Sequence, residues 1–331
     1  MTPDTPTDYP AGDFACRLMG GYGKVAGVYD EMMDESGAIR PHWQSFLGGL
    51  GAMSPLEIEN GWDNAERIIQ ENGTTYNVYQ DAGDGAHPWR MDPIPALISA
   101  NEWRHIEAGL IQRAKLLNAV VADLYGPQRL LTEGLLPASL VFGNPNFLRA
   151  LHGIDIPDNA WLNFIAVDLA RAADNKWWVL SDRTQAPSGA GYTLENRVVM
   201  GRTLPQIFRD SQVQRLAGFF QTLSDNLVAM TGSEDPVIVL MTPGPHNETY
   251  FEHAYLARYL GFPLVEGEDL TVRDNKVFLK TLNGLRQVDL IFRRVDSEFC
   301  DPLELRTDSL LGVAGLVAAA RGGNVIVTNA L

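Results

Sequence analysis

The sequence predicts a mixed α/β fold in which a helical first half gives way to strands and crossover helices. Three observations carry this reading. Residues 100–125 hold an apolar stripe at helical spacing. Residues 163–183 alternate with period 2 around a short turn. Residues 237–241 are wholly apolar and lead through a Pro/Gly loop into a helix, the pattern of a buried parallel strand.

Residues 1–28 read as a loose arm, with Pro3, Pro6, Pro10 and the pair Gly20-Gly21. Residues 29–155 read as a mainly helical region. Within it residues 29–73 are expected to be helical, because Trp43, Phe46, Leu47 and Leu50 recur at i, i+3, i+4, i+7, and Ser54-Pro55 starts a second helix. Residues 74–79 predict a strand closed by the acidic turn at 81–85. The helix over 100–125 opens with Ser99 and Glu102 at capping-box spacing and stops at Gly126-Pro127.

Residues 156–232 hold the next unit. Strands over 163–170 and 176–183 flank an Asp174-Asn175 turn, a Gly-rich loop spans 186–192, and residues 206–230 are helical. Residues 233–331 form an α/β unit: the strand at 237–241, a helix over 248–260 closed by Gly261, three strands across 271–292, a helix over 309–320 and a last strand at 325–328.

The 331 residues carry 26 Lys+Arg against 41 Asp+Glu, a formal charge of −15. That balance argues against non-specific nucleic-acid binding and against docking on anionic lipid. No apolar run approaches the ~20 residues of a membrane span. Cys16 and Cys300 allow one bridge, but a reducing cytoplasm is the simpler reading. No Gly-x-Gly-x-x-Gly follows a strand, which speaks against a dinucleotide oxidoreductase.

Four places could carry chemistry. In the hairpin a two-residue turn makes paired positions sum to 349, so Asp168 faces Ser181, Arg183 shares that face and Asp182 points away, whereas a one-residue bulge would swap Asp182 in for Ser181. A surface ion pair is the simpler account of that cluster. The loop Gln185-Ala186-Pro187-Ser188-Gly189-Ala190-Gly191-Tyr192 could offer free backbone N–H groups to a ligand, and Glu195-Asn196-Arg197 follows it. Asn247, Glu248 and Thr249 sit between a buried strand and a helix N-terminus, where a carboxylate or phosphate is favoured. Arg293 and Arg294 leave a buried strand at the same kind of edge and could grip an anion or form a structural salt bridge.

Pro41-His42-Trp43, residues 71–79, 182–192 and 242–249, and Phe292-Arg293-Arg294 with residues 308–312 together resemble the circularly permuted type 2 ATP-grasp family. That family is distantly similar to glutathionylspermidine synthase and eukaryotic glutathione synthetase. The resemblance implies an ATP-grasp-like hairpin and a pre-ATP-grasp-like α/β domain. It also implies an ATP- and Mg2+-dependent carboxylate–amine ligase working through an acyl phosphate. It places Asp168 at the first metal-ligand position. The family's Glu-x-Asn on the next strand is here Ser181 and Arg183, so either Asp182, Glu195 or Asn196 substitutes, or metal binding is weak. Gln185, Ser188, Gly189, Gly191 and Tyr192, with Asn247, Glu248 and Thr249, would line the substrate site. Arg183, Arg293 and Arg294 would stabilise developing charge. The substrates implied are a small-molecule or peptide carboxylate and an amine. Alpha-E domain and transglutaminase-like protease proteins are the implied partners. The chain is expected to stop before the ATP-clamping half. A non-catalytic binding or scaffold protein on the same fold is the rival expectation.

Overall fold

The computed structural model describes residues 20–76 and 87–331. Cys16, most of the expected N-terminal arm, the end of the strand at 74–79 and the turn at 81–85 lie outside the described residues.

The first two helices are α1 (Pro41–Gly51) and α2 (Pro55–Glu71). The Ser54 side chain accepts from Glu57 N, the Glu57 side chain accepts from Ser54 N, and Pro55 fills the first turn. Residues 29–40 are not helical, contrary to expectation. The Asp30 carboxylate takes the N–H groups of Met32 and Met33, offering the backbone a turn instead. Strand β1 (Thr75–Tyr76) pairs antiparallel with β2 (His87–Pro88). Helix α3 (Ala100–Tyr125) starts at Ser99 as expected, but the Glu102 carboxylate turns away from the cap to meet Arg171 and Trp177. Two short helices, α4 (Arg129–Thr132) and α5 (Ala138–Phe142), follow.

The hairpin is β3 (Ala166–Arg171) and β4 (Trp177–Arg183). Next come α6 (Ala190–Thr203), α7 (Pro205–Asp210) and α8 (Ala217–Thr231). The single helix expected over 206–230 is thus two, broken where Gln212 adopts φ +48°. Helix α6 was not foreseen; its start lies inside the stretch read as a Gly-rich loop.

Strand β5 (Ile238–Met241), α9 (Tyr250–Leu260) and β6 (Leu264–Val265) begin the central sheet. An antiparallel meander follows: β7 (Leu270–Arg273), β8 (Lys276–Thr281) and β9 (Gly284–Gln287). Strand β10 (Leu290–Arg293), α10 (Leu316–Arg321) and β11 (Ile326–Thr328) complete the described elements. The helix expected over 309–320 is confined to its end, where Gly315 at φ +87° precedes it.

The central sheet runs β11-β10-β5-β6 with every pairing parallel. Its strands are buried on both faces, which explains their unbroken apolar runs. Val239, Met241 and Ile291 face a core with Leu316, Val317 and Val277. Ile238, Leu240, Leu290 and Phe292 face the other way, onto Phe220, Leu223 and Leu227 of α8 and Leu256 of α9. Each such side chain contributes ~1.5–3 kcal/mol by leaving water. Helix α6 joins this body to the helical half: Met200 packs with Trp43, Phe46 and Leu47, and Val199 packs with Ala65 and Ile69.

Candidate functional site

The chain leaves β5 toward β6 on one side, then returns through the meander to place β10 on the other. The region beyond the C-terminal ends of β5 and β10 is therefore the topological switch point of the sheet, the place where a crevice takes up ligands in open α/β sheets. Arg293 and Arg294 end β10 there, Thr242 follows β5, and the loop carrying Gln185 to Gly189 closes over both.

The two arginines have different jobs. Arg293 donates from Nε to Asn329 O at 2.9 Å, from Nη1 to Val295 O at 2.9 Å and from Nη2 to Ala330 O at 3.1 Å. Its fork is spent on backbone carbonyls, so it holds residues 329 and 330, just past β11, against the sheet. Arg294 is 4% exposed and donates from Nη2 to Pro187 O in the covering loop. Its Nε and Nη1 have no hydrogen-bond partner among the described residues. Burial pushes its pKa down, opposed by the nearby charge of Glu252. A buried guanidinium with two idle donors is costly, at ~1–3 kcal/mol or more for each group left unpaired.

Glu252 of α9 is fully buried and anchors the loop. Gly189 N donates to its two oxygens at 2.9 and 2.8 Å, and Gly191 N to Oε1 at 3.0 Å. Gly189 sits at φ +117°, outside the reach of L side chains, and this turns both N–H groups onto one carboxylate. A Cβ at Gly191 would meet Glu252 Cγ at 2.7 Å. The expected substrate loop therefore binds an internal carboxylate through its N–H groups.

His253 lies beside it, with Nδ1 at 2.9 Å from Thr242 Oγ1 and Nε2 at 3.2 Å from Thr249 Oγ1. The Thr249 hydroxyl donates to Asn247 Oδ1 at 2.8 Å, so it accepts from Nε2–H. The Thr242 hydroxyl can donate to Nδ1, so the network accommodates a neutral ring carrying its proton on Nε2. Burial first, and the Arg294 charge second, push its pKa down to about 2. Asn247 and Thr249 accordingly build the turn into α9, and Glu248 is exposed beside them. Gln185 Oε1 accepts from Ser297 N at 3.1 Å. Ser188 is exposed at the top of the loop. Tyr192 donates to Thr75 O at 2.7 Å and stacks on Trp89 with ring centroids 4.5 Å apart. Of the expected substrate-site residues, the structure brings Gln185, Gly189 and Gly191 to the crevice with Arg294.

The residues expected to hold metal do not converge. In the hairpin Asp168 does face Ser181. Its Oδ2 accepts from Ser181 Oγ, from Arg183 Nε at 3.1 Å and from Arg183 Nη2 at 3.0 Å. Those bonds, Ser181's first, hold the Asp168 carboxyl below its usual pKa. Asp182 points to the opposite face, where the Arg113 fork of α3 donates to both its oxygens at 2.7 and 2.6 Å. Glu195 is 1% exposed inside α6, accepting from Asn72 Nδ2 at 2.6 Å and Thr74 Oγ1 at 3.5 Å. Asn196 accepts from Trp89 Nε1 at 2.8 Å. Each acid is engaged by its own partners, and among the described residues no three His, Cys, Asp or Glu side chains stand together to hold a metal ion. These four residues do not fit a Mg2+ site. Sequence reasoning missed Glu252 and His253 as parts of the crevice; their position one turn into a helix after a buried strand was the available signal.

A family model described as circularly permuted ATP-grasp type 2 matches residues 95–331. The uncharacterized protein Rv2567 of Mycobacterium tuberculosis is 42% identical over 313 residues, covering 92% of this chain and 35% of its own length. A second from that organism, Rv2411c, is 38% identical over 320 residues, covering 95% and 57%. The Synechocystis protein sll0335 is 38% identical over 304 residues, covering 91% and 63%. The chain thus spans between a third and two thirds of these relatives' lengths. A glutathione synthetase-like effector from Globodera pallida, solved in its apo form, superposes with a TM-score of 0.46 at 14% identity, over 80% of this chain and 63% of that one. No helix among the described residues is long and apolar enough to cross a membrane.

Proposed function

We propose, from the premise that this chain belongs to the circularly permuted type 2 ATP-grasp family, that it forms the acid-binding part of an ATP-dependent carboxylate–amine ligase. The observation that carries the reading is Arg294: a buried guanidinium at the sheet's switch point, two donors idle, under a loop that already holds a carboxylate. Arg forks recognise carboxylates in this way. The acid substrate, a small molecule or peptide end, is held there by Nε and Nη1. ATP and Mg2+ supply the activation of that acid in such a reaction, and this chain's own residues hold and orient it. The cytoplasm suits Cys300, a buried free thiol. Alpha-E domain and transglutaminase-like protease proteins are the partners to test by co-purification.

The test is calorimetric titration of amino acids and short peptides into the wild type and Arg294→Met, with Mg-ATP-dependent ADP release measured beside it. Two charge-assisted bonds predict a loss of roughly tenfold or more in affinity. Equal affinity in both proteins, across every acid that binds, refutes the assignment.

The closed cluster of Asp168, Ser181 and Arg183 favours a second reading, a non-catalytic acid-binding protein on the same fold. Acid binding that depends on Arg294 but never brings ADP release selects it.

A further inference from the structure

We propose that the β3–β4 hairpin carries its own resident cation, Arg183, and binds no divalent metal ion. Mg2+ demands near-octahedral oxygen ligands and is usually held through one or two carboxylates. Asp168 Oδ2 is instead shared by a hydroxyl and by two N–H groups of one guanidinium. A dication approaching that carboxylate meets a tethered positive charge 3.0 Å from the same oxygen. The remaining hairpin acids cannot turn to help. Asp182 is on the other face by strand alternation, and Arg113 occupies both its oxygens. Asp174 sits at the far end of the hairpin, paired with Lys176 at 2.7 Å. Arg171 adds charge of the same sign on the face toward α3, pairing with Glu31 and Glu102. Every hairpin acid is therefore neutralised, Asp168 and Asp174 from within the hairpin and Asp182 by Arg113 of α3. Arg183 gives Asp168 the charge balance a metal would give, with a cation tethered to the same hairpin. The inference does not rest on the crevice taking a carboxylate.

Mn2+ titration followed by electron paramagnetic resonance tests it directly. A chain of net charge −15 is expected to collect some Mn2+ weakly, and Asp168→Asn should leave that binding unchanged within about twofold. The double variant Ser181→Glu/Arg183→Asn frees Asp168 and adds a second carboxylate and an amide oxygen on the same face. It should gain one site at least tenfold tighter than any in the wild type, and adding Asp168→Asn should remove it. Two results overturn the proposal: wild-type affinity that falls threefold or more with Asp168→Asn, or a double variant that gains no site. The Trp177 indole N–H, which donates to Glu102, reports by NMR that the hairpin is intact. If the double variant loses that signal, the comparison of wild type with Asp168→Asn decides alone.

Discussion

Replacing Glu252 with Gln should destabilise the chain by about 2–4 kcal/mol, more than a typical point substitution. Three contacts hold that carboxylate: Gly189 N reaches both oxygens and Gly191 N reaches one. An amide with its oxygen at the Oε1 position keeps an acceptor for both N–H groups but sets its NH2 against Gly189 N, where Oε2 now stands at 2.8 Å. One of the three contacts becomes donor against donor and the other two lose their charge, at roughly 1.5–3 kcal/mol. The substitution also removes the negative charge that opposes the depression of the Arg294 pKa by burial. A buried cation without its counter-charge adds to the cost. Urea unfolding followed by circular dichroism measures the sum. Arg294→Met, alone and with Glu252→Gln, closes a double-mutant cycle in which the two changes should couple by about 1 kcal/mol or more. A loss below about 0.5 kcal/mol for Glu252→Gln, or additivity in the cycle, refutes the claim that this carboxylate holds the loop and balances Arg294.

Other outcomes follow from the same contacts. Gly191→Ala should reproduce most of the Glu252→Gln loss, because the new Cβ would stand 2.7 Å from Glu252 Cγ; a melting temperature within a degree of wild type would contradict this. His253 has a folded pKa near 2 against about 6.5 when unfolded. Its contribution is whole above about pH 6.5 and is lost progressively as pH falls, at about 1.4 kcal/mol per pH unit, because only the unfolded state takes the proton. Urea midpoints between pH 7.5 and 5 should therefore fall more steeply in the wild type than in His253→Gln, and parallel profiles would sink the reading. The Arg113–Asp182 pair joins the hairpin to α3 with side chains 40% and 18% exposed. A double-mutant cycle there should give a smaller coupling than that between Glu252 and Arg294, and a larger one would mean that the contact is far less screened than its exposure implies.

The central sheet was legible because its strands are buried on both faces and their apolar runs have no competing period. The helix expected over 29–40 failed because one side chain, Asp30, captured two N–H groups locally, which no apolar count registers. In the hairpin the partner of Asp168 was read correctly through two departures that cancel. The turn is one residue longer than expected, with Asn175 at φ +64° and pairs near the tip summing to 348. An extra residue at Leu180 then restores the sum to 349. Helix α6 was hidden by Gly189 and Gly191, which look like loop material and instead shape its entry. The division of labour between Arg293 and Arg294 could not be read at all. The carbonyl of residue 295 is close by in sequence, but those of residues 329 and 330, which complete the saturation of Arg293, lie beyond the next strand.

Asn329 lies where several segments meet. Its side chain accepts from the N–H groups of Asn163 and Phe164 and donates to the carbonyls of Phe164, Thr184 and Gln185. The root of the hairpin, the start of the covering loop and the chain after β11 are thereby riveted at one point. Access to Arg294 cannot come from swinging the whole hairpin aside. It has to come from the three residues between that rivet and Gly189, namely Ala186, Pro187 and Ser188, peeling upward while both flanks stay still.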